Sequence, residues 1–320
     1  MVTFIFGFDY RDLEGMRVTL VHNPDAGDDE QASAGDLLGL IRGAGHAVTY
    51  QSSRAENWHT VLAEPGDIVA VAGGDGMVGK VAKHLVDRHV PIAVLPMGTA
   101  NNIAKTLGLK DRPLEQLVAG WSAAPRVNFD VGVVSGPWDS KYFIEGLGMG
   151  LFTETMYRLD ATDNADLAHL EDTREKVESV LQILKERVSS FTPNHLKVTL
   201  DGRDISGAYI MLEVMNISYI GPNLCLAPHA NPSDGFLDIV FVSEDERDNL
   251  SRCLAHCLEG RLVQPTLTIR KGQHLQIEWD GSTTHIDDEV WPDRGSEFPL
   301  SPGVIDVTVK RGALEFLGAR

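Results

Sequence analysis

The sequence is short of cysteine and of basic residues, and it has no long apolar run. Three cysteines in 320 residues are too few, and odd in number, for a disulfide framework, which indicates a reducing compartment such as the cytoplasm. No apolar stretch approaches the roughly 18 residues that cross a bilayer, so we do not expect an integral membrane protein. The start, Met1–Phe8, lacks the basic flank of a signal peptide.

The shortage of basic residues gives the chain a formal net charge of -18. Residues 1–130 carry 11 basic and 16 acidic side chains, and residues 131–320 carry 17 and 30. This charge disfavours binding to nucleic acid and electrostatic adhesion to anionic lipid. An apolar fraction of 43% is enough to form ordinary cores, and the length predicts two domains.

The first part of the chain alternates apolar runs with helical patterns, which predicts an α/β domain with a parallel sheet covered on both faces. Ligands of such sheets bind beyond the carboxyl ends of the strands. The predicted strands are Arg17–His22, Ala47–Gln51, Asp67–Ala72 and Pro91–Leu95. The predicted helices are Ala32–Arg42, Glu56–Ala63, Met77–Arg88 and Ala100–Leu107.

The second part of the chain has a different pattern, with many short apolar runs separated by Gly, Pro and Asp. This predicts a mostly antiparallel β domain, a sandwich, that begins near residue 130 without a long linker. One helix, about Ala165–Val188, interrupts the strands and carries an apolar stripe. The predicted strands are Val127–Val134, Tyr142–Glu145, Leu196–Leu200, Ala208–Val214, Leu237–Val242, Leu267–Ile269, Leu275–Trp279 and Val304–Val309.

A glycine-rich loop follows the third predicted strand. Asp67–Ala72 runs into Gly73, Gly74, Asp75 and Gly76, and a predicted helix follows. Such a turn exposes main-chain N–H groups at the positive end of a helix, so phosphate is its natural ligand. The carboxylate of Asp75 would repel a phosphate unless a cation lies between them, which suggests that it acts through Mg²⁺.

Other interpretations of this loop stay open. Gly74, Gly76 and Gly79 fit the G-x-G-x-x-G pattern of dinucleotide-binding proteins, but the next strand ends without the acidic residue that holds the ribose. The span from Gly74 to Lys80 has the spacing of a Walker A motif, but Val81 replaces the Ser or Thr that binds magnesium. The loop could also be a tight turn whose carboxylate caps the helix.

Polar or glycine turns follow two neighbouring predicted strands as well. Asn23, with Gly27 shortly after it, follows the first strand, and Thr99, Asn101 and Asn102 follow the fourth. Each turn alone is weak evidence, since helix caps use the same residue types. Together the three strand ends favour a nucleotide-binding cleft at the carboxyl edge of the sheet.

Five motifs lie in one order along the chain. They are the Asn23–Gly27 turn, Gly73–Gly76, the Leu-Pro-x-Gly-Thr-Ala-Asn turn at Leu95–Asn101, the Asp-Gly-x-Leu-Asp pattern within Asn231–Asp238, and Ile286–Glu289. In this order they resemble the diacylglycerol kinase catalytic-domain family, which includes bacterial lipid kinases and sphingosine kinases. The last of them is similar to that family's Asp-Gly-Glu motif. The resemblance covers nearly the whole chain.

The resemblance implies an ATP- and Mg²⁺-dependent kinase that transfers the γ-phosphoryl group to a lipid hydroxyl, most often that of diacylglycerol. It implies an ATP-binding α/β domain at residues 1–130, similar to NAD kinases, to which the chain end at about 304–320 returns. It implies a β-rich acceptor-binding domain at residues 131–303, with the active site between the two.

The resemblance also implies roles for single residues. Asp75 would act on or through catalytic magnesium, and Glu289 would be the general base for the acceptor hydroxyl. Asp234, with the main-chain carbonyls of Asn231 and Phe236, would hold a structural metal. The implied nucleotide-site residues are Asn23, Thr49, Gly73, Gly74, Asp75, Gly76, Met77, Thr99 and Asn101.

Three positions depart from the family pattern. Met77 replaces the usual Thr after the glycine loop, Asn102 replaces an Asp, and Asp288 replaces the glycine of Asp-Gly-Glu. Close carboxylates raise each other's proton affinity, so Asp288 is expected to change how Glu289 titrates. The three changes predict altered substrate or metal use, or a loss of activity.

Two further clusters carry less information. Cys253 and Cys257 lie on a predicted helix, and their apolar neighbours favour core packing over a zinc site. Gly146, Gly148 and Gly150 indicate either close main-chain packing or part of the acceptor cleft.

The alternatives to a lipid kinase are NAD kinase-like phosphorylation of a soluble acceptor and a catalytically silent nucleotide or lipid sensor. For partners we expect a small-molecule or lipid acceptor, no nucleic acid, and at most transient peripheral contact with a membrane. A homodimer is left open. The expected location is the cytoplasm, with peripheral membrane contact.

Overall fold

A computed structural model of the chain describes residues 15–27, 31–161, 173–261, 266–292 and 302–319. Among these residues, none of the helices combines the length and the apolar character needed to cross a membrane.

The first part of the chain folds into a parallel sheet with helices on its faces. Its elements are β1 (Arg17–His22), α1 (Ala34–Gly43), β2 (Ala47–Ser52), β3 (Ile68–Gly73), α2 (Asp75–Leu85), β4 (Ile92–Pro96), α3 (Asn102–Thr106) and α4 (Leu114–Gly120). The strand order is β2-β1-β3-β4, and every pairing among these strands is parallel. All six residues of β3 are buried, which explains its continuous apolar run.

Most predicted elements of this part lie within two or three residues of the observed ones. Helix α1 begins at a capping box formed by Ser33 and Asp36, and its buried face includes Leu37 and Ile41. The predicted helix Glu56–Ala63 is instead a short 3₁₀ stretch, Trp58–Leu62, which begins after a residue of positive φ.

The second part of the chain is rich in antiparallel strands. Its elements are β5 (Arg126–Ser135), β6 (Lys141–Phe143), β7 (Gly146–Gly150), α5 (Leu151–Ala161), α6 (Thr173–Val188), β8 (Asn194–Leu200), β9 (Arg203–Asp204), β10 (Gly207–Met215), β11 (Tyr219–Ile220), β12 (Leu224–Cys225), β13 (Leu237–Ser243), α7 (Arg247–Leu258), β14 (Thr268–Gly272), β15 (His274–Trp279), β16 (Thr284–Ile286), β17 (Glu289–Trp291) and β18 (Gly303–Leu317). The strands from β5 to β18 pair antiparallel with one another. The predicted fold class, a parallel α/β part followed by a β-rich part, is confirmed.

Two helices differ from the prediction. Helix α6 confirms the carboxyl-terminal part of the predicted helix Ala165–Val188, whose residues 165–172 lie outside the described part of the chain. Helix α5 was not predicted. Its Thr153 and Thr155 are poor helix formers, but their hydroxyls donate to the main-chain carbonyls of Gly148 and Leu151 and are buried there.

The last strand joins the two parts of the molecule. β18 pairs antiparallel with β15 and β5, and near its end Phe316 pairs parallel with Ile92 of β4. The domain boundary predicted near residue 130 falls inside β5, which pairs with β18 along most of its length, and the boundary stays a prediction.

Candidate functional site

The loops after β3 and β4 touch each other through their main chains. A Cβ atom added to Gly98 would lie 2.4 Å from the Cα atom of Gly74, which is closer than carbon atoms approach. Gly74 has extended backbone and caps α2 at its amino end. Glycine is therefore required at position 98, and this contact brings the Gly-Gly-Asp-Gly loop and the Leu-Pro-x-Gly turn to one place.

A cavity of about 500 Å³ opens in front of these loops, at the carboxyl ends of the four parallel strands, and we call it the polar cavity. It is lined by Asn23, Asp25, Ala26, Gly27, Ser53, Trp58, Gly74, Gly76, Met77, Lys80, Gly98, Thr99 and Asp288. The first turn of α2 faces it, so the positive end of the helix lies at its floor.

The structure brings most of the implied nucleotide-site residues to this cavity. Asn23, Gly74, Gly76, Met77 and Thr99 line it directly. Gly73 ends β3 just below them, where an added Cβ atom would lie 3.1 Å from the Cβ atom of Met77.

Two implied residues lie elsewhere. Thr49 is exposed in the middle of the edge strand β2, three residues and about 10 Å before its carboxyl end, and Ser53 lines the cavity in its place. Asn101 turns back into its own loop, where its side-chain amide bonds both the N–H (3.0 Å) and the carbonyl of Gly98. Asn101 thus shapes the turn and does not line the cavity.

The side chain of Asp75 binds main-chain N–H groups in this structure. Its two carboxylate oxygens accept the N–H groups of Asn102 (2.8 Å) and Ile103 (2.9 Å), so it caps α3 and joins the two loops. Burial raises the pKa of Asp75, while these two hydrogen bonds lower it. Asp75 therefore joins the two loops, and the role on magnesium that the sequence indicated stays a prediction.

A second cavity, of about 180 Å³, adjoins the first, and we call it the acidic cavity. It is lined by Asp75, Gly76, Asn102, Glu145, Phe152, Met156, Ile220, Gly221, Asp287 and Asp288. Gly76 and Asp288 line both cavities. The Oδ2 atom of Asp288 would lie only 2.8 Å from a Cβ atom added to Gly76, so this pair forms the wall between the two cavities.

The acidic turn that carries Asp288 is anchored by the residue before it. Asp287 is buried and accepts the N–H groups of Ile144 (3.0 Å) and Glu145 (2.8 Å). Its Oδ2 atom also lies 2.7 Å from the Nζ atom of Lys83 on α2. Burial opposes the charge of Lys83, but the Asp287 carboxylate raises its pKa overall. The turn is therefore tied to both parts of the molecule.

Glu145 is the most perturbed carboxyl group of the acidic cavity. Burial raises its pKa well above the ordinary value, and the charges of Asp75 and Asp287 add to this effect. The side-chain amide of Asn102 donates to its Oε2 atom at 3.1 Å. An aspartate at position 102, as in the family pattern, would add a carboxylate beside Glu145, whereas the asparagine present supplies a donor.

Glu289, the implied general base, lies outside both cavities. It is the first residue of β17, its side chain is 47% exposed, and its Oε2 atom lies 3.6 Å from the Nζ atom of Lys141. The sequence did not single out Glu145, Asp287 or Lys83. One signal could have found Glu145, because it is a charged residue between an apolar run and the glycine cluster at 146–150.

That glycine cluster serves close packing. A Cβ atom added to Gly148 would lie 2.0 Å from the Oε2 atom of the buried Glu213, which in turn pairs with the buried His285 at 2.7 Å. A Cβ atom added to Gly150 would lie 2.3 Å from the carbonyl oxygen of Ile210. Of the two interpretations left open, the structure favours main-chain packing.

The loop implied as a structural metal site has other partners here. The carboxylate of Asp234 accepts hydrogen bonds from Nζ of Lys271 at 2.6 Å and from the N–H of Phe236 at 3.0 Å. The side chain of Asn231 accepts a hydrogen bond from the N–H of Ser233 at 3.1 Å. Over the described ranges of the chain, no group of three or more His, Cys, Asp or Glu side chains is arranged to hold a metal ion. The cysteines are free, and the buried Cys253 packs in the core.

Comparison with known proteins agrees with this architecture. Residues 17–134 match the family model of the diacylglycerol kinase catalytic domain, and residues 157–309 match that of the YegS C-terminal NAD kinase beta sandwich-like domain. These two matches confirm the resemblance to the diacylglycerol kinase catalytic-domain family that the sequence motifs predicted.

Single relatives show the same likeness. The chain is 24% identical over 281 residues to a diacylglycerol kinase of Mycobacterium tuberculosis, covering 85% of this chain and 84% of the relative. Its fold is similar to the crystal structure of a diacylglycerol kinase from Bacillus anthracis, with a TM-score of 0.66, 19% identity and coverage of 95% and 97%. It is also similar to yeast NADH kinase complexed with NADH, with a TM-score of 0.51, 8% identity and coverage of 96% and 84%.

Proposed function

We propose that this protein transfers the γ-phosphoryl group of ATP to the hydroxyl group of a lipid such as diacylglycerol. The observation that carries the proposal is the wall formed by Gly76 and Asp288. It separates a polar cavity at a helix amino terminus from a smaller cavity that is acidic and partly apolar. Phosphates on one side and a hydroxyl on the other would meet at this wall, which is the arrangement that phosphoryl transfer requires.

The polar cavity suits the phosphates of ATP. The positive end of α2 lies at this cavity, and the exposed Lys80 adds a positive charge at the rim. Thr99 and Asn23 add a hydroxyl and an amide. Gly74 and Gly76 carry no side chains of their own, so phosphate oxygens can approach the main chain closely on the side of Gly76 away from Asp288.

The acidic cavity suits a hydroxyl group attached to an apolar body. Phe152, Met156 and Ile220 supply its apolar lining, and the carboxyl groups cluster toward Gly76. A volume of about 180 Å³ holds the part of a lipid next to its hydroxyl, so the remaining acyl chain would lie outside.

For the proton of the hydroxyl we propose Glu145 as the acceptor. It lines the acidic cavity, Asn102 orients it, and its raised pKa makes it a stronger base than an ordinary carboxylate. Glu289, the base implied by the family motif, faces Lys141 instead.

In this proposal, Mg²⁺ is the cation that binds the phosphate oxygens of ATP. Asp288 supplies an exposed carboxylate on the shared wall, and hard oxygen ligands of this kind together with phosphate oxygens are what Mg²⁺ prefers. Asp288 would therefore hold the ion, which supplies positive charge against the charge that develops on the phosphoryl group.

The proposal is tested by supplying γ-labelled ATP and Mg²⁺ with a panel of acceptors: diacylglycerol, sphingoid bases, other lipids and NAD. We expect label in a lipid product. Label transferred to NAD would support the NAD kinase-like alternative, and ATP binding without labelling of any acceptor would support a silent sensor. Either result contradicts lipid kinase activity.

A further inference from the structure

The loop between β12 and β13, residues 231–236, and the start of β13 contain two carboxylates four residues apart, Asp234 and Asp238. The sequence resemblance implies a structural metal held by this loop. Asp238 is 3% exposed, and its Oδ2 atom has no hydrogen-bond partner within the described residues. Two carboxylates so placed need a compensating positive charge.

Strand register supplies that charge. In the antiparallel pairing of β13 with β14, Lys271 lies directly across from Asp238. Its Nζ atom lies 2.6 Å from Oδ2 of Asp234 and 3.6 Å from Oδ2 of Asp238. The ammonium group of Lys271 therefore bridges both carboxylates.

Two of the other polar groups that would serve a metal are also engaged. The carbonyl of Asn231 accepts the N–H of Asp234 at 3.3 Å, and the second oxygen of Asp234 accepts the N–H of Phe236. A second cation is close by, because the guanidinium group of Arg311 lies 5.9 Å from the centre of the Phe236 ring. Magnesium requires about six oxygen ligands near 2.1 Å, and an ammonium group 2.6 Å from one of these oxygens would repel it. The residues present do not fit a divalent cation.

We propose that the ammonium group of Lys271 takes the place of a structural metal ion in this loop, so that the fold of this chain does not depend on a divalent cation. This loop is also bonded to other parts of the fold through Asp130. The N–H of Gly235 donates to one oxygen of Asp130 at 2.7 Å, and the N–H of Gly312 in β18 donates to the other at 2.7 Å. Lys271 therefore secures a loop that is tied to the strand joining the two parts of the molecule.

The test is thermal unfolding without nucleotide, in EDTA, in Mg²⁺ and in Ca²⁺, for the wild type and for Lys271→Met. We expect the wild type to unfold at the same temperature in all three. Lys271→Met should unfold several degrees lower in EDTA and recover in Mg²⁺ or Ca²⁺, because its freed carboxylates then accept a metal ion. Lys271→Arg keeps the charge and should behave as the wild type.

A matched control is Lys197→Met, which breaks another cross-strand pair of lysine and carboxylate, that of Lys197 with Glu278 at 2.8 Å. This pair is exposed, so its loss should change the unfolding temperature little and bring no response to metal. The proposal is overturned if Mg²⁺ or Ca²⁺ stabilises the wild type and Asp234→Asn abolishes that stabilisation. It is also overturned if Lys271→Met unfolds as the wild type does. If Lys271→Met does not fold, the wild type and Asp234→Asn still decide the question.

Discussion

At the scale of single residues, the carboxyl groups of the acidic cavity have different environments. Asp75 and Asp287 each accept two or more main-chain N–H groups and hold loops in place. Asp288 is exposed on the wall between the cavities, and Glu145 is buried with a raised pKa. Carboxyl groups in different environments can take different roles in one reaction, as positioning groups, metal ligand and base.

Glu145→Gln should raise the stability of the protein while it removes the proposed base. The pKa of Glu145 is raised in the folded state, so its contribution to stability is present at low pH and is lost as pH rises through that raised pKa. Gln keeps an acceptor for the amide of Asn102 without any charge. Relative to the wild type, we expect a gain of about 1 kcal/mol or more at pH 8, and little gain near pH 4.

Thermal unfolding of both proteins at the two pH values measures this gain. Glu289→Gln is the control, since its carboxylate is exposed and its loss should change stability little at either pH. A lower unfolding temperature for Glu145→Gln at pH 8 would contradict the described environment of Glu145.

At the scale of secondary-structure elements, the site depends on two strand-to-helix loops in direct main-chain contact. The predicted bounds of β1 to β4 lie close to the observed ones, because each strand of a buried parallel sheet is an apolar run in the sequence. It did not predict α5, whose threonines are stabilised by tertiary burial rather than by helix propensity. It also could not predict that Lys83 of α2 meets Asp287, because these residues are far apart in sequence and their contact is a property of the assembled fold.

Gly98→Ala should disturb the contact between these loops. Its Cβ atom would lie 2.4 Å from the Cα atom of Gly74, so the main chains must move apart. We expect a loss of stability of about 1–3 kcal/mol and weaker binding of ATP. Denaturant unfolding and nucleotide titration measure the two effects.

A matched control for this change lies inside α2. A Cβ atom added to Gly79 meets nothing within 4 Å, and this residue lies in a helix. Gly79→Ala should therefore stabilise the protein by roughly 0.5–1 kcal/mol. If Gly98→Ala and Gly79→Ala changed the stability of the protein equally, the contact between the loops would not contribute to stability.

At the scale of the whole molecule, the net charge of -18 bears on how the proposed lipid substrate would be reached. The motifs predicted the two-part architecture and most of the polar cavity from the sequence. They did not predict which carboxyl groups line the acidic cavity, because the motif at Ile286–Glu289 gives residue types and not side-chain directions. For the same reason, the motifs did not show that Thr49 and Asn101 lie outside the lining of the polar cavity, and their nucleotide-binding roles stay predictions.

An acidic protein should reach anionic membranes more easily when salt screens its charge. With diacylglycerol in anionic vesicles, we expect transfer to rise as salt increases from low to moderate concentration, and with neutral micelles to change little. Initial rates across a salt series measure this. A steep fall with salt would instead reveal a basic surface that governs binding.

The most direct test of the account compares phosphoryl transfer from ATP to diacylglycerol by Glu145→Gln and Glu289→Gln under identical conditions. If Glu145 accepts the proton, its replacement lowers the rate by about 100-fold or more, and Glu289→Gln stays within about tenfold of the wild type. The wild-type rate should also rise with pH through the raised pKa of Glu145, since only the carboxylate accepts a proton. A large loss in Glu289→Gln with near-normal transfer by Glu145→Gln would contradict the account and return the role of base to Glu289.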